Sequence, residues 1–210
     1  MRFLLFALVA AASMAPLSAD SAPMSWAQAV EWRNNGTVGS GFDDTTNALG
    51  APEPTRNGVV NFHSLGRRGM AIFDFGTWFS GQAVVHETTW GDQATAGQRY
   101  PEKARIFVSA DYEFGSGATR RQVKRQFTSV GRVKNGAAVF GSLIDLPEGS
   151  FRYLAVMDVS RQSSANGFDV NAIGVQSAPA PIPLPGALAL MAGGFSALAY
   201  VSWRRRGRSS

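Results

Sequence analysis

Cysteine is absent and histidine occurs only as His63 and His86 in 210 residues. These scarcities exclude a disulfide scaffold, thiolate metal sites, a cysteine nucleophile and a histidine-rich metal centre. A general excess of charge is also missing, although the formal net charge is +5. Arg2, Arg204, Arg205, Arg206 and Arg208 sit at the two termini; without these five of the 20 basic residues, 15 basic face 15 acidic residues between Asp20 and Ala180. The central body is therefore neutral, and a broadly basic surface of the kind that holds nucleic acid is excluded. What remains is carboxylate, hydroxyl, amide and aromatic chemistry.

Uninterrupted apolar runs are confined to the ends. Arg2 precedes the apolar run 3–12, and small residues follow at Ala15, Ser18, Ala19 and Ala22. This three-part layout predicts a secretory signal peptide over 1–22, because a buried core helix would show a polar face and this run shows none. At the other end, 186–203 carries no charge. As a helix rising ~1.5 Å per residue it would span ~27 Å, enough to cross the hydrocarbon core of a bilayer. Arg204, Arg205, Arg206 and Arg208 follow at once, which places the tail 204–210 on the cytoplasmic side, as a stop to transfer, and the body outside. Between body and helix, Pro179, Pro181, Pro183 and Pro185 enforce an extended spacer over 177–185.

The string Ile182-Pro183-Leu184-Pro185-Gly186, one apolar helix and an arginine cluster within the last thirty residues resembles the VPLPA-type PEP-CTERM sorting signals of Gram-negative bacteria. The differences are Ile182 for valine and Gly186 for alanine. The resemblance implies an inner-membrane intermediate, an exosortase-type enzyme that reads the proline motif and removes the helix, and release of the body to the cell surface or an extracellular polysaccharide matrix. A plain tail anchor with a proline-rich stalk is the other reading.

The body, 23–176, reads as all-β. Its 19 glycines punctuate short runs rich in β-branched and aromatic residues, the pattern of a sandwich with many tight turns. Candidate strands cover 25–33, 59–64, 70–75, 82–90, 102–110, 124–130, 150–159 and 168–175. Ala104, Ile106 and Val108 alternate with Lys103, Arg105 and Phe107, and Ala71, Phe73 and Phe75 share a face opposite Ile72 and Asp74. About eight strands fit a jelly-roll β-sandwich.

The succession Asn47-Ala48-Leu49-Gly50-Ala51-Pro52, Ala71-Ile72-Phe73-Asp74-Phe75-Gly76, His86-Glu87, Ile106-Phe107-Val108-Ser109-Ala110-Asp111, Tyr153-Leu154-Ala155-Val156-Met157-Asp158 and Asn166-Gly167-Phe168-Asp169-Val170 resembles a galactose-binding-like (discoidin-like) jelly roll. The resemblance covers about 39–175 and implies ligand-binding loops gathered at one end. Ala83, Tyr112 and Asn171 depart from it, standing where aspartate, glycine and aspartate are usual.

Within that frame, Phe42-Asp43-Asp44-Thr45-Thr46-Asn47 is the densest oxygen-donor segment, and Asp43 and Asp44 suit a hard cation such as calcium, which takes six to eight oxygens. The competing reading is that both aspartates cap turns through backbone amides. Trp78, Trp90 and Tyr100 fall in or near predicted loops and offer flat faces to sugar rings, or plug the ends of the sandwich. Arg120, Arg121, Lys124, Arg125, Arg132 and Lys134 form a local basic patch that suits an acidic polysaccharide or lipid head groups, or is a solvated face.

Asp74-Phe75-Gly76 matches a kinase triplet, yet no glycine-rich loop with its strand lysine precedes it. Glu87 and Glu102 form the one candidate glycosidase pair. His63 adjoins Ser64 on a strand, where neighbours point to opposite faces. The expectation is an exported, sorted surface protein with a non-catalytic, glycan-binding sandwich. A polysaccharide-modifying hydrolase and a purely structural matrix protein are the alternatives.

Overall fold

The computed structural model describes residues 23–35, 38–53, 61–88, 102–135, 141–160 and 167–177. The expected signal peptide, the spacer 177–185 apart from Ser177, the sorting motif, apolar helix and basic tail lie outside these residues, as do Trp90 and Tyr100. No helix among the described residues is long and apolar enough to cross a membrane.

Among the described residues nine antiparallel strands form the body: β1 (Met24–Trp26), β2 (Ala29–Arg33), β3 (His63–Ser64), β4 (Met70–Glu87), β5 (Lys103–Ser109), β6 (Thr128–Lys134), β7 (Ser142–Asp145), β8 (Phe151–Asp158) and β9 (Asp169–Ser177). Among the described residues one helix, α1 (Arg120–Gln126), and a 3-10 turn at Thr45–Ala48 accompany these strands. β4 belongs to both halves of the fold. Its first part, Met70 to Asp74, pairs with β2 and β8; its last part, Ala83 to Glu87, pairs with β9, and Gln82 to Val85 pairs with β7. Between them the register shifts from Asp74 to Phe79, and Gly76 there has φ +66. The chain can turn from one sheet into the other at that point because glycine tolerates this backbone.

The interior follows from alternation. Ala71, Phe73 and Phe75 of β4 meet Ala83 and Val85 beyond the bend, with Ile106 and Val108 of β5, Leu154 and Val156 of β8, and Ile173 and Val175 of β9, all at most 1% exposed. Inward faces of both sheets thus enclose one core, which makes the body a two-sheet sandwich. The outer face of the β4–β8–β5 sheet carries a second cluster in which Ile72, Phe107, Tyr153 and Met157 are covered by Val123 and Phe127 of the α1 segment.

Three expectations need correction. The predicted strand 25–33 is broken at Ala27 and Gln28, whose amides donate to Ile173 and Asp74, so the chain crosses here between sheets. The predicted strand 70–75 and the part of 82–90 up to Glu87 belong to one bent strand. The predicted strand at 124–130 begins as helix: the Thr119 side chain accepts from the Gln122 amide while the Gln122 side chain accepts from the Thr119 amide. That capping box starts the helix, and Val123 and Phe127, four residues apart, supply its buried face.

Candidate functional site at the loop end

Register separates the two ends of the sandwich. Arg33, Met70 and Met157 lie level at one end of the first sheet, with Lys103 beside Lys134, while Asp74 lies level with Ala29 and Tyr153 at the other. The strand ends at Arg33, His63, Ser64, Met70, Glu87, Lys103, Lys134, Ser142, Asp158 and Asp169 all fall at the first end, called here the loop end. The opposite end holds the bend of β4. Trp78 sits in that bend, 49% exposed, and not in a loop beside Asp43 and Asp44. The structure therefore separates two of the predicted groups of site residues.

Asp43 and Asp44 are at the loop end and both serve turns. The Asp44 carboxylate accepts from the Thr46 amide at 2.9 Å and the Thr46 hydroxyl at 2.7 Å, capping the 3-10 turn, and Asp43 accepts from the Gly41 amide at 3.2 Å. The Thr46 hydroxyl, then the Thr46 amide, hold the Asp44 carboxyl below its ordinary value. No group of three or more His, Asp or Glu poised for a metal occurs among the described residues.

Beneath the loops lies a buried polar floor. The Asn171 amide group donates to the Glu53 carbonyl at 3.0 Å, the Asn61 carbonyl at 2.9 Å and the Thr88 hydroxyl at 3.3 Å, and its oxygen accepts from the Glu53 amide at 3.1 Å. Asn61 in turn donates to the Glu53 carbonyl. Two connections, one through Glu53 and Asn61 and the other through Thr88, are thus tied together by one side chain. An aspartate at 171 would offer no donor, which gives the departure from the usual residue a physical reason. Next to this floor the Ser64 hydroxyl donates to Asp169 at 2.5 Å. The His63 ring packs edge-on against Trp32, 4.6 Å between centroids, and both His63 and Ser64 are fully buried. Desolvation raises the Asp169 carboxyl to about 7 and lowers the His63 imidazole to about 4. Ser64 spends its proton on Asp169, so the His63–Ser64 neighbours do not form a base and nucleophile.

Glu87 ends β4 and Glu102 precedes β5, so both reach the loop end. Glu102 is 7% exposed and its amide donates to Asn135.

The predicted basic patch divides. Lys124 and Arg125 are exposed on α1 and Arg132 and Lys134 on β6, whereas Arg120 turns toward the loop end. There Arg33, Asn35, Arg68, Thr119, Arg120 and Arg121 line a pocket of about 190 Å³. Arg33, Asn35 and Arg68 were not singled out by sequence reading. No local signal marks them, because they come from the end of β2 and the β3–β4 turn, and only the pairing of Arg33 with Met70 brings these segments level.

No protein-family model matches the chain and no curated protein matches it. Solved structures are similar at low identity. One is the CBM32 module of AlyQ in complex with 4,5-unsaturated mannuronic acid, at 13% identity and a TM-score of 0.42, over 73% of this chain and 97% of that one. Another is a pectin-binding carbohydrate-binding module, at 12% and 0.48, over 76% and 96%. A third is the lectin domain of lectinolysin complexed with Lewis B antigen, at 11% and 0.45, over 73% and 94%.

Proposed function

We propose that the body is a non-catalytic, glycan-binding sandwich of an exported protein that is sorted to the cell surface or an extracellular polysaccharide matrix. The observation that carries the binding role is the polar floor: Asn171 ties segments at 53, 61 and 88 to β9 through its one amide, giving the loop end a fixed base. A rigid support under converging loops is what a binding face needs, since ordering loops on binding costs affinity. The non-catalytic part of the proposal draws on the same region, where Ser64 and His63 are buried and engaged in packing and structural hydrogen bonding. Export and sorting rest on the sequence of the two ends, with an exosortase-type enzyme and the inner membrane as transient partners and the matrix polysaccharide as the lasting one.

The test is a panel of neutral and acidic polysaccharides presented to the detergent-solubilised full chain, with heat-denatured protein as the control. Retention on at least one polysaccharide by folded protein alone supports the reading; retention on none removes it. Glu87 and Glu102 at the loop end keep a hydrolase reading in view. Release of reducing sugar that is lost in Glu87→Gln or Glu102→Gln, with the melting temperature unchanged, would replace binding by turnover.

A further inference from the structure

Four arginines line the loop-end pocket of about 190 Å³, and no acidic residue among the described residues lines it. Among the described residues the single ion pair is Arg152 with Asp74, at the bend end, so none of the four arginines makes an ion pair with a described carboxylate. Asp158, whose charge acts on Arg120, already holds other donors. Asp158 Oδ2 accepts from the Arg68 amide at 2.8 Å, and Oδ1 accepts from the Ser160 amide at 3.3 Å and hydroxyl at 2.5 Å.

Arg120 is the fixed member of the set. Its Nη1 donates to the carbonyls of Arg68 at 2.6 Å, Gly69 at 3.1 Å and Asp158 at 2.9 Å. All three bonds use one nitrogen, which anchors the plane of the guanidinium and leaves Nε and Nη2 for another acceptor. Arg33 is steadied by the Gly117 carbonyl at 3.2 Å. Arg68 has φ +59, the single non-glycine residue with positive φ among the described residues. Glycine or asparagine would sit there at lower conformational cost, so the backbone holds an arginine at the pocket against its own preference. Burial lowers the Arg120 guanidinium from its ordinary value; the Asp158 charge opposes that shift and the Arg68 charge adds to it.

We infer that the Arg33–Arg68–Arg120–Arg121 pocket is an acidic-sugar subsite, which receives the carboxylate of a uronic-acid unit in a polysaccharide. Planar guanidinium groups match carboxylates by paired hydrogen bonds, and Asn35, which also lines the pocket, adds an amide side chain for a neighbouring ring hydroxyl. The pocket is a local feature of a neutral body and not a track, which favours one charged unit at a time over the continuous phosphates of a nucleic acid. The inference rests on the glycan-binding reading and adds the class of sugar.

The experiment uses the full chain in detergent, with Arg204, Arg205, Arg206 and Arg208 all replaced by serine so that the tail does not bind polyanions itself. Affinity electrophoresis through polygalacturonate, dextran sulfate and neutral dextran compares this background with Arg33→Ser/Arg121→Ser, two exposed positions whose loss leaves the Arg120 anchor in place. The expected result is retardation by polygalacturonate that weakens at least tenfold in the double variant, with the melting temperature unchanged. Arg120→Lys, which keeps the charge and loses the planar fork, should weaken retardation as well. Three results would overturn the subsite: equal retardation of variant and background by polygalacturonate, retardation by dextran sulfate alone, or retardation by neutral dextran alone. The last leaves the glycan-binding reading standing. Retardation by none of the panel defeats that reading together with the subsite.

Discussion

The Ser64 hydroxyl donates to the Asp169 carboxylate at 2.5 Å across the pairing of β3 with β9, and both groups are at most 5% exposed. His63 occupies the adjacent position of β3, fully buried. The two ionisable groups respond to pH in opposite senses. Asp169, raised to about 7, stabilises the fold in its protonated form: its contribution is complete below the unfolded value of 3.8 and is lost as pH rises through about 7. His63, lowered to about 4, stabilises the fold when neutral: its contribution is present above the unfolded value of 6.5 and is lost as pH falls through about 4. At full extent Asp169 is worth about 4 kcal/mol and His63 about 3 kcal/mol. The melting temperature should therefore be nearly level between about pH 4.5 and 6 and fall between about 6.5 and 7.5. Asp169→Asn should abolish the fall and uncover a rise with pH below about 6.5, which belongs to His63. A wild-type curve that climbs steadily to about pH 7.5 contradicts this pairing of opposed titrations.

The Glu31 carboxylate pins the segment that leads into α1. It accepts from the Tyr112 hydroxyl at 2.9 and 3.1 Å, the Gly115 amide at 2.7 Å and the Ala118 amide at 3.1 Å. Glu31→Gln turns a donor toward at least one of these donors and should cost about 2 kcal/mol, while Tyr112→Phe, which deletes one partner, should cost about 1 kcal/mol. Urea melts give the free energies. Amide exchange at 115 and 118 should accelerate in Glu31→Gln before it does in the strands. Uniform acceleration throughout the body would assign Glu31 to global stability only.

These contacts mark where sequence reading succeeds and where it stops. The alternation of Ala104, Ile106 and Val108 with Phe107 was readable because strand period alone assigns the two faces, and the structure puts the three aliphatic residues in the core and Phe107 in the outer cluster. The passage of β4 from one sheet to the other was not readable, since partners such as Tyr153 and Ala172 lie far along the chain and only their registers show the change. The helix at Arg120 was readable in principle from Thr119 and Gln122; the charged residues around Val123 hid its short apolar stripe. The arginine pocket was not, because residues 33, 68 and 120 meet only after strand pairing and helix docking.

The turn at 42–47 gives a sharp metal test. Asp44 already satisfies the Thr46 amide and hydroxyl, and Asp43 the Gly41 amide, so the segment is ordered without a cation. Thermal melts in calcium and in chelator should coincide for wild type, and Asp44→Ala should lower the melting temperature equally in both, through loss of the cap. Stabilisation that grows with calcium concentration in wild type and disappears in Asp43→Ala/Asp44→Ala would establish a bound ion by mass action.

The final prediction concerns the chain beyond β9. Ser177 closes that strand by donating its amide to the Pro23 carbonyl, so the two boundaries of the body meet at one point of the sandwich. The proline spacer starts directly after it, with Ile182, Pro183, Leu184, Pro185 and Gly186 between the folded body and the uncharged run 186–203. The alternating prolines of the sequence leave the backbone few amides with which to pair, which is the kind of strip a protease can read. In cells that carry an exosortase-type enzyme, intact-mass measurement of surface-released protein should find a body that lacks Trp203 and the four terminal arginines. Replacing Pro183 and Pro185 by alanine should leave the full C-terminus in place and the protein in the inner membrane. Released material that still carries Trp203 and Arg204, or processing that ignores the proline substitutions, would show that the spacer is only a stalk.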